Sequence, residues 1–351
     1  MTVRLTDYAV RNFRPFSERV ELAGLRKVNL VVGPNNVGKS AALVPLRRLT
    51  RNDPEAVPLE GTPDGMAFLG GGDSIVWRDD DLFRGSNEAQ IQLTIDVDGR
   101  TESFDIDLTR YRDTPRISAN MTNKNTRMPD GMHPTEVWEH IGFVPALRSV
   151  AFDLEPLDFR QYEERRFDGS GICVRLIESC IEQDDYRSEL VSRMNDILGM
   201  RLTNVVPSAD PPGVEVVFEN GERRGLLDLG QGVGQVLAIA DALVRQESGI
   251  LILEEPEISL HPRLERNLIT YFLHQEDFQV FITTHSNHMI DVVDDDIEVY
   301  RVAPTSPPTV SRLGDDKRRA LADLGVRPSS INSSNTLIWV EGPSDAIYLR
   351  M

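Results

Sequence analysis

Lysine is scarce in this chain: the lysines are Lys27, Lys39, Lys124 and Lys317, so the remaining basic residues are arginines. Acidic residues outnumber basic ones by 56 to 38, for a net charge of −18. That balance excludes a protein that coats nucleic acid over its whole surface, because phosphate binding draws on Lys and Arg to neutralise backbone charge. Any DNA contact has to be a local patch. Cysteine is scarcer still. Cys173 and Cys180 fall in GICVRLIESCIEQ, which reads as helix, and seven residues of helix separate them by about 10 Å along the axis. That is too far for a disulfide, and both read as core filler. Long apolar runs are missing as well. No stretch approaches the roughly 18 residues of a membrane span, and MTVRLTDYAV lacks the apolar core of a signal peptide. A cytoplasmic chain without a membrane partner is expected. Internal repeats and low-complexity tracts are absent, and APTSPP at 303–308 reads as a loop.

At 351 residues, with 40% hydrophobic and 27% charged residues, the chain suits one large α/β domain with a subdomain, or two domains. VRLTDYAV, RVELAG and the apolar VNLVV read as strands, with a turn around Asn12–Ser17. VNLVV runs into GPNNVGKS, and AALVPLRRL follows as helix, with Pro45 expected near its start or at a kink. Residues 51–148 are turn-rich with alternating segments such as AQIQLTIDVDG and ESFDIDLTRY, the pattern of an antiparallel subdomain. Residues 155–204 switch to a charged helical pattern, PSADPP at 207–212 reads as a rigid linker, and VEVVFENGERR as a hairpin. A helix at about 233–246, the apolar strand GILIL, a helix at about 262–275 and the apolar strand FQVFITT complete the pattern. Apolar strands alternating with helices imply a parallel sheet covered on both faces.

Four segments carry chemistry. The first is Gly33-Pro34-Asn35-Asn36-Val37-Gly38-Lys39-Ser40, followed by Ala41. It matches GxxxxGK[ST] between a strand and a helix, a loop whose amides cradle phosphates. Lys39 is expected to reach the β- and γ-phosphates of ATP and the Ser40 hydroxyl to ligate magnesium. The second is Ile250–Leu253 ending in Glu254-Glu255. An acid at the end of a buried strand beside such a loop can serve the magnesium shell, and the next can polarise the attacking water, so Glu254 is assigned to metal and Glu255 to general base. The third is His285, just after FQVFITT, placed to contact the γ-phosphate. The fourth is DLGQGVGQ at 228–235, whose glycines at a helix start suit either an anion site or a tight turn.

Taken in order, these segments resemble ABC-type ATPases of the RecF, SMC and OLD (overcoming lysogenization defect) kind: Walker A, Gly-rich signature, Walker B, switch histidine. The resemblance implies an α/β ABC-type P-loop NTPase fold in which two heads dimerise and Gly230, Gln231 and Gly232 cap the ATP of the opposite head. LEEPEISLHP at 253–262 and FVPALR at 143–148 are similar to the OLD branch. Two positions depart from the pattern: the signature serine is replaced by Gly230 or Gln231, and Asn36 stands for a usual loop glycine. NTLIWVEGPSDAIYLRM at 335–351 resembles the opening of a Toprim nuclease domain. The resemblance makes Glu341 and Asp345 magnesium ligands of that domain, whose later Asp-x-Asp motif does not occur before Met351, so a truncated parent chain is expected. The organisation is therefore read as an ATPase domain over 1–334 and an incomplete Toprim start over 335–351. The insertion at about 155–204 is either a dimerisation arm or a subdomain packed on the sheet. The function implied is the ATPase of an OLD-family DNA endonuclease in phage defence, acting as a homodimer or higher homo-oligomer, on DNA and with a possible partner defence protein. A RecF- or SMC-like DNA-repair ATPase without nuclease activity is the alternative.

Overall fold

The computed structural model describes residues 1–50, 66–68, 74–77, 79–110, 117–124, 137–146, 172–182, 185–209, 212–292 and 294–313. Its centre is a mixed sheet built from β3 (Val28–Val32), β9 (Ile141–Val144), β13 (Gly249–Glu254), β14 (Phe278–Thr284), β15 (Ile297–Ala303) and β16 (Thr309–Arg312). The order across the sheet is β16-β15-β3-β14-β13-β9. All neighbours run parallel except β15 and β16. Burial alternates between the faces as strand geometry requires. Val28, Leu30, Leu251, Leu253, Val280 and Ile282 enter one core; Val31, Ile250, Ile252 and Phe281 enter the other. Both faces are covered, which is why β13 and β14 read as continuous apolar runs.

A five-stranded antiparallel sheet shares the second core, with β1 (Val3–Arg11), β2 (Val20–Leu22), β6 (Glu88–Val97), β7 (Arg100–Arg110) and β8 (Ile117–Asn123) in the order β2-β1-β6-β7-β8. The expected antiparallel subdomain therefore exists but draws two of its strands from the N-terminus. The FVPALR segment does not join it: Phe143 and Val144 lie in β9, parallel to Ile252 and Leu253 of the central sheet. Helix α1 (Lys39–Leu49) also packs in this core through Ala42, Leu43, Val44 and Leu46. Tyr8 donates its hydroxyl to the Ala42 carbonyl at 2.7 Å, and burial pushes its phenol well above the usual range. Pro45 sits inside α1 rather than at its start; it is buried in this core, where packing offsets the backbone bond that proline cannot donate.

Helices α2 (Ile172–Glu182), α3 (Tyr186–Leu198), α4 (Gln231–Gln246) and α5 (Pro262–His274) cover the opposite face through residues such as Leu176, Met194, Leu237 and Phe272. The described part of the 155–204 insertion thus packs on the sheet, and Cys173 lies reduced in that core. The side chain of Cys180 and residues 155–171 lie outside the described residues. A third sheet, β10 (Leu202–Ala209), β11 (Pro212–Phe218) and β12 (Arg223–Gly225), runs in that order, and β4 (Met66–Phe68) pairs antiparallel with β5 (Ser74–Val76). The third sheet confirms the hairpin at 214–224 and corrects the linker. Pro207 pairs with Val214 on the edge strand β10, and Pro212 opens β11, the two strand positions that tolerate a missing amide proton. Residues 335–351, including Glu341 and Asp345, lie outside the described residues.

Candidate functional site

Parallel register brings three of the four segments together. Val31, Thr283 and Glu254 occupy one cross-strand row, and Val32 and Thr284 the next. Gly33 and His285 thus leave the sheet side by side at its carboxyl edge, with Glu255 one row earlier on the strand beyond. In open α/β sheets this edge is where ligands bind.

The P-loop follows from two glycines. A Cβ on Gly33 would lie 2.7 Å from the Val302 carbonyl oxygen of β15, a contact no side chain can make. Gly38 ends the loop at φ 104°, in the region glycine enters freely. Asn36 takes a left-handed φ of 62°, which asparagine tolerates better than most residues. No side chain caps the first turn of α1, and no acid lies in it, so its amides face outward at the positive end of the helix. Pro34, Asn35 and Asn36 are exposed, Val37 is buried, and Ser40 and Ala41 are half-buried beside them.

Lys39 is 4% exposed and donates to the carbonyls of Gly33 and Pro34, at 3.0 Å each. Its ammonium also lies 3.6 Å from Glu255 Oε1. Glu255 has a φ of 41°, and its amide donates to the Thr283 carbonyl at 2.9 Å and to Thr283 Oγ1 at 3.2 Å. That turn lifts it off the strand toward the lysine while Glu254 stays in the ladder, half-buried.

His285 is 47% exposed at its side chain, and its Nδ1 lies 3.1 Å from Glu257 Oε1. The same oxygen accepts from the His285 amide at 2.8 Å and from Thr284 Oγ1 at 2.7 Å. The Ser286 hydroxyl donates to Glu265 Oε2. Desolvation pushes the Glu265 carboxyl above its ordinary range, against the pull of Ser286 and His288. Sequence reading missed Glu257 and Glu265, although the third acid of EEPE was a signal for the former.

The fourth segment stands at the start of α4. Gly230 has φ 82° and ψ 156°, and Gln231 Oε1 accepts from Ser259 Oγ at 2.9 Å. A Cβ on Gly232 would come within 2.9 Å of the Ser259 carbonyl oxygen. The glycine-rich loop is therefore seated on the turn that follows Glu254-Glu255, and Gln231 is exposed.

The donor set suits a magnesium nucleotide. Open helix amides and a buried ammonium match phosphate oxygens, and one hydroxyl with one or two carboxylates is how magnesium is commonly held when phosphates complete its shell. Among the described residues no His, Cys, Asp and Glu group forms a metal centre by itself, and no helix is long and apolar enough to cross a membrane.

Solved structures share this architecture. An SMC head domain from Thermotoga maritima matches with a TM-score of 0.52 at 13% identity, over 88% of this chain and 99% of that one. An SMC head bound to the C-terminal winged-helix domain of ScpA matches at 0.58 and 12%, over 90% and 99%. An SMC head with an extended coiled coil, bound to the C-terminal domain of ScpA and derived from Pyrococcus furiosus, matches at 0.55 and 10%, over 93% and 100%. The fold is that of an α/β ABC-type P-loop ATPase, and the chain is an ATPase domain of the AAA/ABC class. It belongs to the family described as AAA domain, putative AbiEii toxin, Type IV TA system, which matches residues 28–291. No curated protein matches the chain.

Proposed function

We propose that the chain binds and hydrolyses ATP at the edge formed by Gly33–Ala41, Glu254, Glu255 and His285, as the ATPase domain of an OLD-family DNA endonuclease. The observation that carries the catalytic part is Lys39, whose buried ammonium spans the P-loop carbonyls and Glu255. In this reading Lys39 exchanges the carbonyls of Gly33 and Pro34 for phosphate oxygens, so binding costs it little reorganisation. Glu255 accepts the proton of the attacking water. His285 faces the γ-phosphate. Ser40 and Glu254 would hold magnesium, which neutralises charge on the phosphate oxygens. Gly230, Gln231 and Gly232 complete the site of a second copy, so ATP drives homodimerisation or higher assembly.

The nuclease half of the reading is supported by the Toprim-like wording VEGPSD at 340–345, with Glu341 and Asp345 as its magnesium ligands. A partner protein in defence is supported by the family's description as a putative toxin of a type IV toxin–antitoxin system. DNA would meet a local patch, given the charge of −18. The likeness to SMC heads favours a second reading, a DNA-repair ATPase without nuclease activity. Titrating ATP with magnesium into wild type and Lys39→Ala, with phosphate release followed in parallel, tests the shared core. Saturable binding and turnover in wild type, both abolished in the variant, are expected; equal turnover in the two would end the assignment. Cleavage of plasmid DNA by a longer chain that carries a complete Toprim domain separates the endonuclease from an ATPase that only binds DNA.

A further inference from the structure

Glu257 lies three residues beyond the acid assigned to magnesium and is 8% exposed. Its Oε1 accepts from Thr284 Oγ1 at 2.7 Å and from the His285 amide at 2.8 Å, and His285 Nδ1 lies 3.1 Å from it. Its Oε2 is buried with no hydrogen-bond partner among the described residues. A fold selecting only for stability gains little from this arrangement, because a desolvated carboxylate oxygen without a donor is costly and an apolar side chain of similar volume avoids that cost. Buried polar groups left half-satisfied are often explained by function. Both donors and the nearby ring nitrogen belong to two consecutive residues at the end of β14, so the carboxylate holds the backbone that presents His285 and lies within reach of its ring.

We propose that Glu257 is a positioning residue for His285. The carboxylate accepts the Nδ1–H of His285, which selects that tautomer and leaves Nε2 on the side of the ring turned away from Glu257. The hydrogen bond made by one ring nitrogen sets the protonation of the other, and outer partners of this kind hold functional imidazoles in line. Thr284 is the third member. It is fully buried, and its hydroxyl donates to Glu257 while accepting from the Ser286 amide at 2.9 Å, so the acid is itself held in place. The assignment rests on the ATPase reading for what Nε2 does, but not for which nitrogen carries the proton.

Long-range nitrogen–proton correlation spectra of the nucleotide-free 351-residue chain, with His285 assigned by a His285→Gln control, read the tautomer directly. At a pH where the ring is neutral, wild type is expected in the Nδ1–H form, and Glu257→Ala shifts to the Nε2–H form that free imidazole prefers. Glu257→Gln, whose carbonyl oxygen still accepts, keeps the wild-type signature. In turnover assays Glu257→Ala loses about 10–100-fold in kcat with the KM for ATP changed less than about threefold, and Glu257→Gln recovers most of that loss. An Nε2–H ring in wild type overturns the proposal without touching the ATPase assignment, even where Glu257→Ala fails to fold. A wild type without ATP turnover, with the Nδ1–H form intact, sinks the ATPase reading and leaves the positioning in place. Equal kcat losses in Glu257→Ala and Glu257→Gln, with the tautomer unchanged in both, overturn it as well.

Discussion

Removal of the Asp241 side chain tests what holds the glycine-rich loop in register. Asp241 is fully buried in α4. Its Oδ1 accepts from Arg175 Nε at 2.8 Å and from the Tyr186 hydroxyl at 2.6 Å, and its Oδ2 accepts from Arg175 Nη2 at 2.6 Å. Arg245, one turn later, has a nitrogen 3.8 Å from Oδ2. Burial first, and the Asp241 carboxylate second, hold the Tyr186 phenol well above its usual range, so it stays a donor at neutral pH. Asp241→Ala strips these oxygens from an arginine that is 14% exposed. Breaking a buried pair in this way costs about 3–5 kcal/mol. The lost tyrosine bond overlaps with that figure, since both arise from one deletion. At about 2–4 °C per kcal/mol for domains somewhat smaller than this one, the melting temperature falls by roughly 6–20 °C. The urea midpoint should fall with an unchanged m-value, because the surface exposed on unfolding is nearly the same. Replacing both partners, Arg175→Met with Asp241→Leu, should regain at least half of the loss, since apolar residues of similar volume need no counter-charge. A single Asp241→Ala variant within about 1 kcal/mol of wild type would refute the network as the tie between α4 and the helices α2 and α3.

Glu255→Gln should lower ATP turnover by about 10²–10⁴-fold, the usual contribution of a positioned base, with nucleotide affinity nearly unchanged by titration; unaltered hydrolysis would remove Glu255 from its role. Gly232→Ala puts a methyl group 2.9 Å from the Ser259 carbonyl oxygen. The backbone has to move, at a cost of about 1–3 kcal/mol, and thermal melting together with turnover should both register it; a silent variant would contradict the close approach. Glu265 has a raised folded pKa, so the folded chain binds a proton that the unfolded chain has released, and wild-type stability falls as pH rises from the ordinary glutamate range through the folded value. Glu265→Gln lacks that penalty, and its stability relative to wild type should climb over the same interval in denaturation curves. A pH-independent difference would show that the carboxyl is not perturbed.

Much of the fold was legible because its signals are local. VNLVV, GILIL and FQVFITT are buried on both faces, so their apolar runs needed no partner to be read, and the P-loop carries its loop and helix start in eight consecutive residues. The misses have tertiary causes. PSADPP carries turn signals, yet Pro207 is admitted to a strand because β10 is an edge. The strand IEVYRVA went unread because Glu298 and Arg301 interrupt its apolar pattern. Glu298 is nevertheless buried, its charge met by Arg312 at 2.7 Å from the neighbouring antiparallel strand. The seat of Gly232 on Ser259 likewise depends on two segments that only packing brings together.

The same distinction separates the parts of the candidate site. Lys39 and Glu255 are far apart along the chain, and their 3.6 Å approach depends on β14 lying between β3 and β13 with Thr283 opposite both Val31 and Glu254. A slip of one residue in either ladder would turn every side chain of that strand to the other face and separate the lysine from the acid. β14 therefore aligns the site before any of its own residues act in it. His285 and Thr284 sit at the end of this aligning strand, and both donate to Glu257, which belongs to the turn after β13. The acid joins the ends of the two strands directly, so a displacement of the turn that carries Glu255 is passed to His285 through one carboxylate oxygen. On the proposed reading Glu255 and His285 are coupled through Glu257, and substitutions at Glu257 should couple non-additively with substitutions at His285 in turnover.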